Sequence, residues 1–278
     1  MEMLTLGPAG TYSHRAARAV ADGEVRFTES VTDIVESVAA AEYDRGVVPV
    51  ENSIEGSVTE ALDAVTEHEV AVVREIITPI RHALLARGRE FETVASHAQA
   101  LAQCRDYLEG AYPETEIEAV ASTARGVQRA REDPSVAAIG HPANADVAGE
   151  DGTAGTELLV LAEDIQDRSS NATRFLVVAP VTDRSEAGSK TSFVVYPGVD
   201  YPGLLLRMLE PFANRDINLT RVESRPSGER LGDYVFHFDI AAGLYEQRTR
   251  DALATIEEIA ADGWVRRLGS YDSETVLD

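Results

Sequence analysis

The sequence predicts an α/β protein of two domains, the second a small ferredoxin-like unit, and three observations predict it. Short β-rich apolar runs alternate with amphipathic stretches over residues 1–180. An aperiodic polar segment at 181–190 then reads as a linker. Residues 191–278 finally repeat the order strand, helix, strand, strand, helix, strand. With 278 residues and 44% hydrophobic content the chain is long enough for about two domains with a sizeable core.

The first elements are "MLTLG", "SHRAARAVA", "VRFTE", "VTDIVESVAAAEY", "GVVPV" and "SVTEALDAVTEH", a βαβαβα run that predicts a parallel sheet with covering helices. "EVAVVREIITPIRHALLAR" carries too many β-branched residues for one helix and is interrupted by Pro79, so it reads as two strands leaving the first sheet. A second α/β set follows: strand "FETVASH", helix "AQALAQCRDYLEG", strand "TEIEAVA", helix "TARGVQRARE", strand "VAAIG", helix "PANADVAG" and strand "ELLVLAE". The strand from Thr173 to Ala179 closes the region. After the linker come "TSFVVYP", "GLLLRMLEPFANRD", "INLTRVES", the turn "RPSGERLG", "DYVFHFDIA", "EQRTRDALATIEEIAAD" and "WVRRLGSY", the βαββαβ order of a four-stranded sheet with two helices on one face.

Charge narrows the partners. Against 48 acidic residues stand 25 basic ones, of which Lys190 is the single lysine, for a formal net charge of -23. Nucleic acid needs clustered Lys and Arg, so it is not expected as a partner. This balance resembles proteins of a salt-loaded cytoplasm, where concentrated salt screens self-repulsion; an ordinary acidic protein is the alternative. No apolar run is long enough to span a bilayer and "MEMLTLGPAG" lacks a leader pattern, so no membrane association and a cytoplasmic location are expected. Cys104 is alone and cannot form an internal disulfide.

Several chemistries are disfavoured. No histidine pair has metal-ligand spacing, so neither a metal nor a cofactor is expected. "GPAGTYS" follows a strand as a phosphate loop would, but lacks the G-K-[ST] ending and the G-x-G-x-x-G pattern. His97 and Cys104 stand two helical turns apart, about 10 Å, which suits a buried structural cysteine better than a thiol–imidazole pair. What remains is a set of strand-to-helix joints rich in hydroxyls and amides: Gly10 to Ser13, Asn52 to Ser57, and Ser96 to Gln99. One such joint is explained by helix capping. Three beyond strand ends point to a small carboxylate ligand held by free N–H groups and helix dipoles.

The segments "GPAGTYSHRAA", "VPVENSIEGSV", "ITPIRHALL", "SHAQALAQC", "SNATRF" and "INLTRVESRP", in this order, resemble a monofunctional prephenate dehydratase with a C-terminal ACT regulatory domain. Departures are Tyr12 for the common Phe, Ala98 for the usual Pro, and "PGLLLRML" where the regulatory motif often reads G-A-L. The resemblance implies conversion of prephenate to phenylpyruvate with loss of carbon dioxide and water, in phenylalanine biosynthesis. It implies two lobes like those of a periplasmic binding protein, one of about residues 1–80 and 161–180 and one of about 81–160, with the active site between them. Thr173 matches the catalytic threonine. Thr11, Ser13, Asn52, Ser53, Gly56, Ser96, Gln99, Gln103, Arg174 and Phe175 are the implied substrate contacts. Arg174 suits a bidentate grip on a carboxylate, with a structural ion pair as its alternative, and Glu51 has a supporting role.

In the second domain the resemblance implies a phenylalanine effector site at Gly203, Leu204, Asn218, Leu219, Glu223, Ser224 and Arg225, and a homodimer or homotetramer formed through the ACT domains. A plain dimerisation module is the alternative there. Arogenate in place of prephenate, or a non-catalytic amino-acid-sensing binding protein, are the rival functions. A fused chorismate mutase is not expected, because the motifs start at Gly7.

Overall fold

The computed structural model describes residues 1–54, 56–146, 156–168 and 170–276. The first lobe runs β1 (Met3–Leu6), α1 (Tyr12–Val20), β2 (Val25–Thr28), α2 (Val31–Ala39), β3 (Arg45–Asn52), β4 (Gly56–Ser57), α3 (Thr59–Glu67) and β5 (Val70–Pro79). The second runs β6 (Ala83–Ala86), β7 (Thr93–His97), α4 (Ala98–Gln103), α5 (Arg105–Ala111), β8 (Glu116–Val120), α6 (Thr123–Glu132), β9 (Val136–Gly140) and β10 (Leu159–Glu163). The chain returns as β11 (Ala172–Pro180). It ends with β12 (Lys190–Tyr196), α7 (Leu204–Ala213), β13 (Leu219–Pro226), β14 (Tyr234–Ile240), α8 (Gln247–Ile259), β15 (Trp264–Tyr271) and β16 (Ser273–Thr275).

Lobe one is built on a sheet of order β16-β5-β11-β3-β1-β2, with β4 hairpinned onto β3. The expected parallel sheet is present only in part. Crossovers through α1 and α2 explain why β1 lies parallel to β2 and β3. β11 arrives from the other lobe in the opposite sense and inserts antiparallel between β3 and β5. Only β6, and not β5, leaves this sheet.

Lobe two has the order β10-β6-β9-β7-β8. The return of the chain is therefore later than expected from residue 161, since Leu159–Glu163 pairs with β6 in lobe two. The single helix expected from "AQALAQCRDYLEG" is broken at Cys104. The one expected at "PANADVAG" is a short 3₁₀ turn, Pro142–Ala145, and its last residues lie outside the described ones.

The C-terminal sheet has the antiparallel order β13-β14-β12-β15, with α7 and α8 on one face. There Phe193 stacks between Phe212 and Phe238 at centroid distances of 5.6 and 5.2 Å. The other face is not open to solvent. Val194, Val235, Leu268 and Tyr271 join the core of lobe one with Val31, Ile34, Val35 and Val65. The last strand, β16, pairs parallel with β5, so the C-terminal unit adds a strand to the lobe-one sheet. Full burial of one such aliphatic side chain contributes about 1.5–3 kcal/mol, and the joint is built of several. Among the described residues no helix is long and apolar enough to cross a membrane.

Candidate active site

A cleft of about 300 Å³ opens between the lobes. From lobe one come Thr11, Tyr12, Ser13, Pro49, Asn52, Thr173 and Phe175; from lobe two His97, Gln99, Ala100, Gln103, Ala121, Ser122 and Thr123; and between β5 and β6 Ile80 and His82. Helix starts deliver much of this wall. Thr11 caps α1, its Oγ1 accepting from the His14 N–H at 3.2 Å, and Ser122 caps α6, its Oγ accepting from the Arg125 N–H at 3.0 Å. The first-turn N–H groups and positive dipole ends of these helices lie beside the cleft. Of the expected contacts, Thr11, Ser13, Asn52, Gln99, Gln103, Thr173 and Phe175 are brought together.

Side-chain amides cross the cleft floor in a directed chain. Asn52 Nδ2 donates to Thr173 Oγ1 at 3.1 Å and to Asn171 Oδ1 at 3.3 Å. Asn171 Nδ2 donates to Gln103 Oε1 at 2.9 Å. The direction is anchored, because Asn52 Oδ1 accepts from the backbone N–H of Ile54 at 2.9 Å, and a backbone nitrogen can only donate. Asn52 must therefore present its NH₂ to Thr173. The Thr173 oxygen acts as acceptor on that side, and its own hydrogen is available to the cleft.

Four expected contacts sit elsewhere. Ser96 is fully buried, and its hydroxyl donates to the Ile139 carbonyl at 2.7 Å. Ser53 is exposed; its hydroxyl donates to the Ser170 carbonyl and accepts from the Ala172 N–H, both at 2.9 Å, which holds the start of β11. Gly56 is exposed at the β3–β4 hairpin with φ +86°, a conformation that favours glycine for the turn itself.

Arg174 is the clearest correction. Strand alternation sends Thr173 and Phe175 to the cleft and turns Arg174 to the opposite face. There it pairs with buried Glu75, with Asp239 of β14 at 2.6 Å and with Glu51 at 3.7 Å, and donates to the Tyr271 hydroxyl at 3.3 Å. Lys190 reaches the same Glu75 oxygen at 2.6 Å. Burial would raise the carboxyl of Asp239, but the Arg174 charge and the Ser192 hydrogen bond outweigh it and hold Asp239 below the ordinary carboxylate range. Glu75 is held low against burial in the same way, by Arg174 and Lys190. The ion-pair alternative is what the structure shows, and Glu51 belongs to that cluster.

Asn171 links the amide chain beside the lining, and the wall itself also holds residues the motifs did not single out: His82, and Ser122 with Thr123. The last pair had a readable signal, since "ASTARG" is another hydroxyl-rich joint between a strand and a helix. Burial lowers the pKa of His82, which is 2% exposed. Tyr12, whose phenol is pushed up by burial, donates to the Arg81 carbonyl at 2.7 Å. Cys104 is buried and its thiol is pushed up by burial to about 12, which suits a structural residue. Among the described residues no group of His, Cys, Asp and Glu is placed to hold a metal ion.

The expected effector set divides. Gly203, with φ +89°, Asn218 and Ser224 are exposed, whereas Leu204 packs into its own domain's core and Leu219 lies partly buried against it. Glu223 and Arg225 face lobe one: Glu223 accepts from the Ser57 hydroxyl at 2.6 Å, and Arg225 grips Asp63 through two bonds of 3.1 and 2.8 Å.

Comparison with known proteins agrees with this architecture. Residues 3–182 match the family model described as Prephenate dehydratase. The chain is 38% identical over 271 residues to the bifunctional chorismate mutase/prephenate dehydratase of Aquifex aeolicus, covering 96% of this chain and 72% of that protein. It is 33% identical over 281 residues to the prephenate dehydratase of Lactococcus lactis, covering 98% and 97%. The crystal structure of prephenate dehydratase in complex with L-Phe from Arthrobacter aurescens superposes with a TM-score of 0.85 at 35% identity, covering 98% of this chain and 90% of that one.

Proposed function

The chain belongs to the prephenate dehydratase family of carbon–oxygen lyases, and on that premise we propose that Thr173 is the hydrogen-bond donor to the leaving hydroxyl of prephenate. The carrying observation is the orientation of Asn52, which makes the Thr173 oxygen an acceptor and leaves its hydrogen for the substrate. In the reaction the electron pair of the ring–carboxylate bond enters the ring, carbon dioxide departs, and the pair of the carbon–hydroxyl bond leaves with oxygen as hydroxide, which takes a proton from solvent to become water. Aromatisation drives this, so a strong base is not required. Oriented donors aimed at the oxygen as its charge develops supply the stabilisation.

The described wall residues include neither Lys nor Arg. The two substrate carboxylates are therefore held by neutral donors, the hydroxyls of Thr11, Ser13, Ser122 and Thr123 with the N-terminal N–H groups of α1 and α6, while Phe175 and Ile80 give the ring an apolar wall. Incubation with prephenate, with arogenate as the second substrate, tests this reading. Phenylpyruvate formation by the wild type, lost in Thr173→Val while folding is retained, supports it; unchanged turnover in that variant rejects the role of Thr173.

The C-terminal unit acts as an L-phenylalanine-responsive ACT domain in a homo-oligomer. The complex of the Arthrobacter aurescens relative with L-Phe supports this, as does the exposed apolar trio Leu205, Leu206 and Val222 near Gly203 and Ser224. Prephenate turnover with and without L-phenylalanine, beside sedimentation of the protein, tests both parts. The same biosynthetic role fits a cytoplasmic enzyme, and the acidic surface fits a salt-rich one.

A further inference from the structure

A side-chain amide offers an oxygen at one end and an NH₂ at the other, and its fixed neighbours decide which end faces a ligand. The direction set at the Ile54 N–H runs through the whole cleft floor. Asn52 Oδ1 accepts from that N–H, so Asn52 Nδ2 donates to Asn171 Oδ1, and Asn171 keeps its own NH₂ for Gln103 Oε1 at 2.9 Å. His82 Nε2 lies 2.9 Å from the same Gln103 oxygen. An amide oxygen cannot donate, so the imidazole carries its hydrogen on Nε2. One backbone N–H thereby sets the polarity of four side chains.

Both donors to Gln103 are fixed in place. Asn171 and His82 are each 2% exposed. The Asn171 carbonyl accepts from the Ile80 N–H at 2.8 Å, while the His82 N–H donates to Gln166 Oε1 at 2.9 Å and its carbonyl accepts from the Ile165 N–H at 3.1 Å. Gln103 is half-buried and borders the cleft as well as an adjoining cavity of about 340 Å³. With its oxygen held by two N–H donors, a turned amide would set its NH₂ against both. Nε2 is therefore the end that Gln103 offers to a ligand, and its hydrogens suit an acceptor.

We infer that His82 and Asn171 are positioning residues for substrate binding: they hold Gln103 Oε1 so that the Gln103 NH₂ donates to a carboxylate of prephenate. The inference rests on the dehydratase reading and deepens it, since the described wall residues include neither Lys nor Arg for that carboxylate. His82 and Asn171 act through Gln103, touch no substrate atom and exchange no proton.

Asn171→Asp replaces the NH₂ donor by an oxygen of the same shape. Its carboxylate draws the Gln103 NH₂ to itself and turns Oε1 to the cleft, so KM for prephenate is expected to rise about 10- to 100-fold at pH 8 with a smaller change in kcat. Protonation reverses the turn, because a carboxylic acid donates its O–H to Gln103 Oε1. KM therefore falls back as pH drops through the pKa of the introduced carboxyl, which burial lifts above the ordinary value of about 3.9. The ionisable groups around that carboxyl are His82 beyond Gln103 and, in the adjoining cavity, Asp167 and Arg168.

A Gln103→Leu background separates this turn from plain repulsion of the dianion. Gln103→Leu raises KM by the same order, and adding Asn171→Asp to it is expected to change KM little, whereas repulsion would add its full factor. The second clamp gives a readout without charge. His82→Leu is expected to raise KM several-fold, and His82→Gln, whose NH₂ reaches the place of Nε2, to keep it near wild type. Wild-type KM in Asn171→Asp, a full further rise in the double variant, or His82→Gln no better than His82→Leu overturns the inference. Folding is checked by circular dichroism, and should Asn171→Asp not fold, the His82 pair decides. A wild type that does not turn over prephenate rejects the dehydratase reading instead.

Discussion

Thr173, Arg174 and Phe175 are consecutive, yet they serve two different faces of one strand. Thr173→Val keeps the shape and removes the donor, so kcat is expected to fall about 10²- to 10³-fold with a smaller change in KM, measured by phenylpyruvate absorbance in alkali. Arg174→Met acts on stability. It leaves Asp239 in the interior without its cation and Glu75 with Lys190 alone, and breaking a buried pair in this way costs about 3–5 kcal/mol, measured as a lower urea midpoint. The pH dependence follows from the same cluster. Both carboxyls are held below their unfolded values, so their stabilisation is complete above about pH 4 and is lost as pH falls through the lower folded values. An unfolding midpoint in the variant that drops between pH 6 and pH 3 as steeply as in the wild type would contradict the assignment.

At the scale of elements, order along the chain was readable and neighbourhood was not. Periodicity marks the βαββαβ run and the alternating strands and helices before it, because both follow from which side of an element is apolar. The pairing of β11 between β3 and β5, and of β16 with β5, depends on contacts across the whole chain length, which no local pattern encodes. The same blindness affected the site: the TRF segment announced Thr173 and Phe175, but Arg174 lies opposite a domain whose position was unknown. His82 stood inside a motif without being singled out, since only the fold places it beside Gln103. β13 shows what such placement does. Through Glu223 and Arg225 it docks on Ser57 and Asp63, so the C-terminal sheet touches the hairpin that follows Asn52. Asp63→Asn weakens this charged grip while leaving the cleft wall intact. Turnover without effector is expected to stay near wild type, and the L-phenylalanine concentration for half inhibition to shift several-fold, about the effect of 1 kcal/mol. An unshifted inhibition curve would remove this contact from the coupling route.

At the scale of the whole molecule the lobe-one and C-terminal sheets share one core, and the chain carries a net charge of -23. The core of lobe one includes side chains of β12, β14 and β15, and β16 closes its edge, so lobe one and the C-terminal unit are expected to unfold together. Two salt effects oppose each other. Exposed pairs such as Arg81 with Asp164 are weakened by screening, but each contributes only about 0.2–1 kcal/mol. Repulsion among the unpaired carboxylates acts on every compact conformation, and it too is screened, as the Debye length shrinks from about 10 Å at 0.1 M to about 3 Å at 1 M. With acidic residues nearly twice the basic ones, the repulsive sum exceeds the paired one. The thermal midpoint is therefore expected to rise between 0.1 M and about 2 M KCl, with prephenate turnover retained at the higher salt; chloride is the proper anion, because sulfate stabilises proteins by exclusion whatever their charge. A midpoint that stays level or falls would mean that the surface pairs dominate, and would make this an ordinary acidic enzyme rather than one fitted to salt.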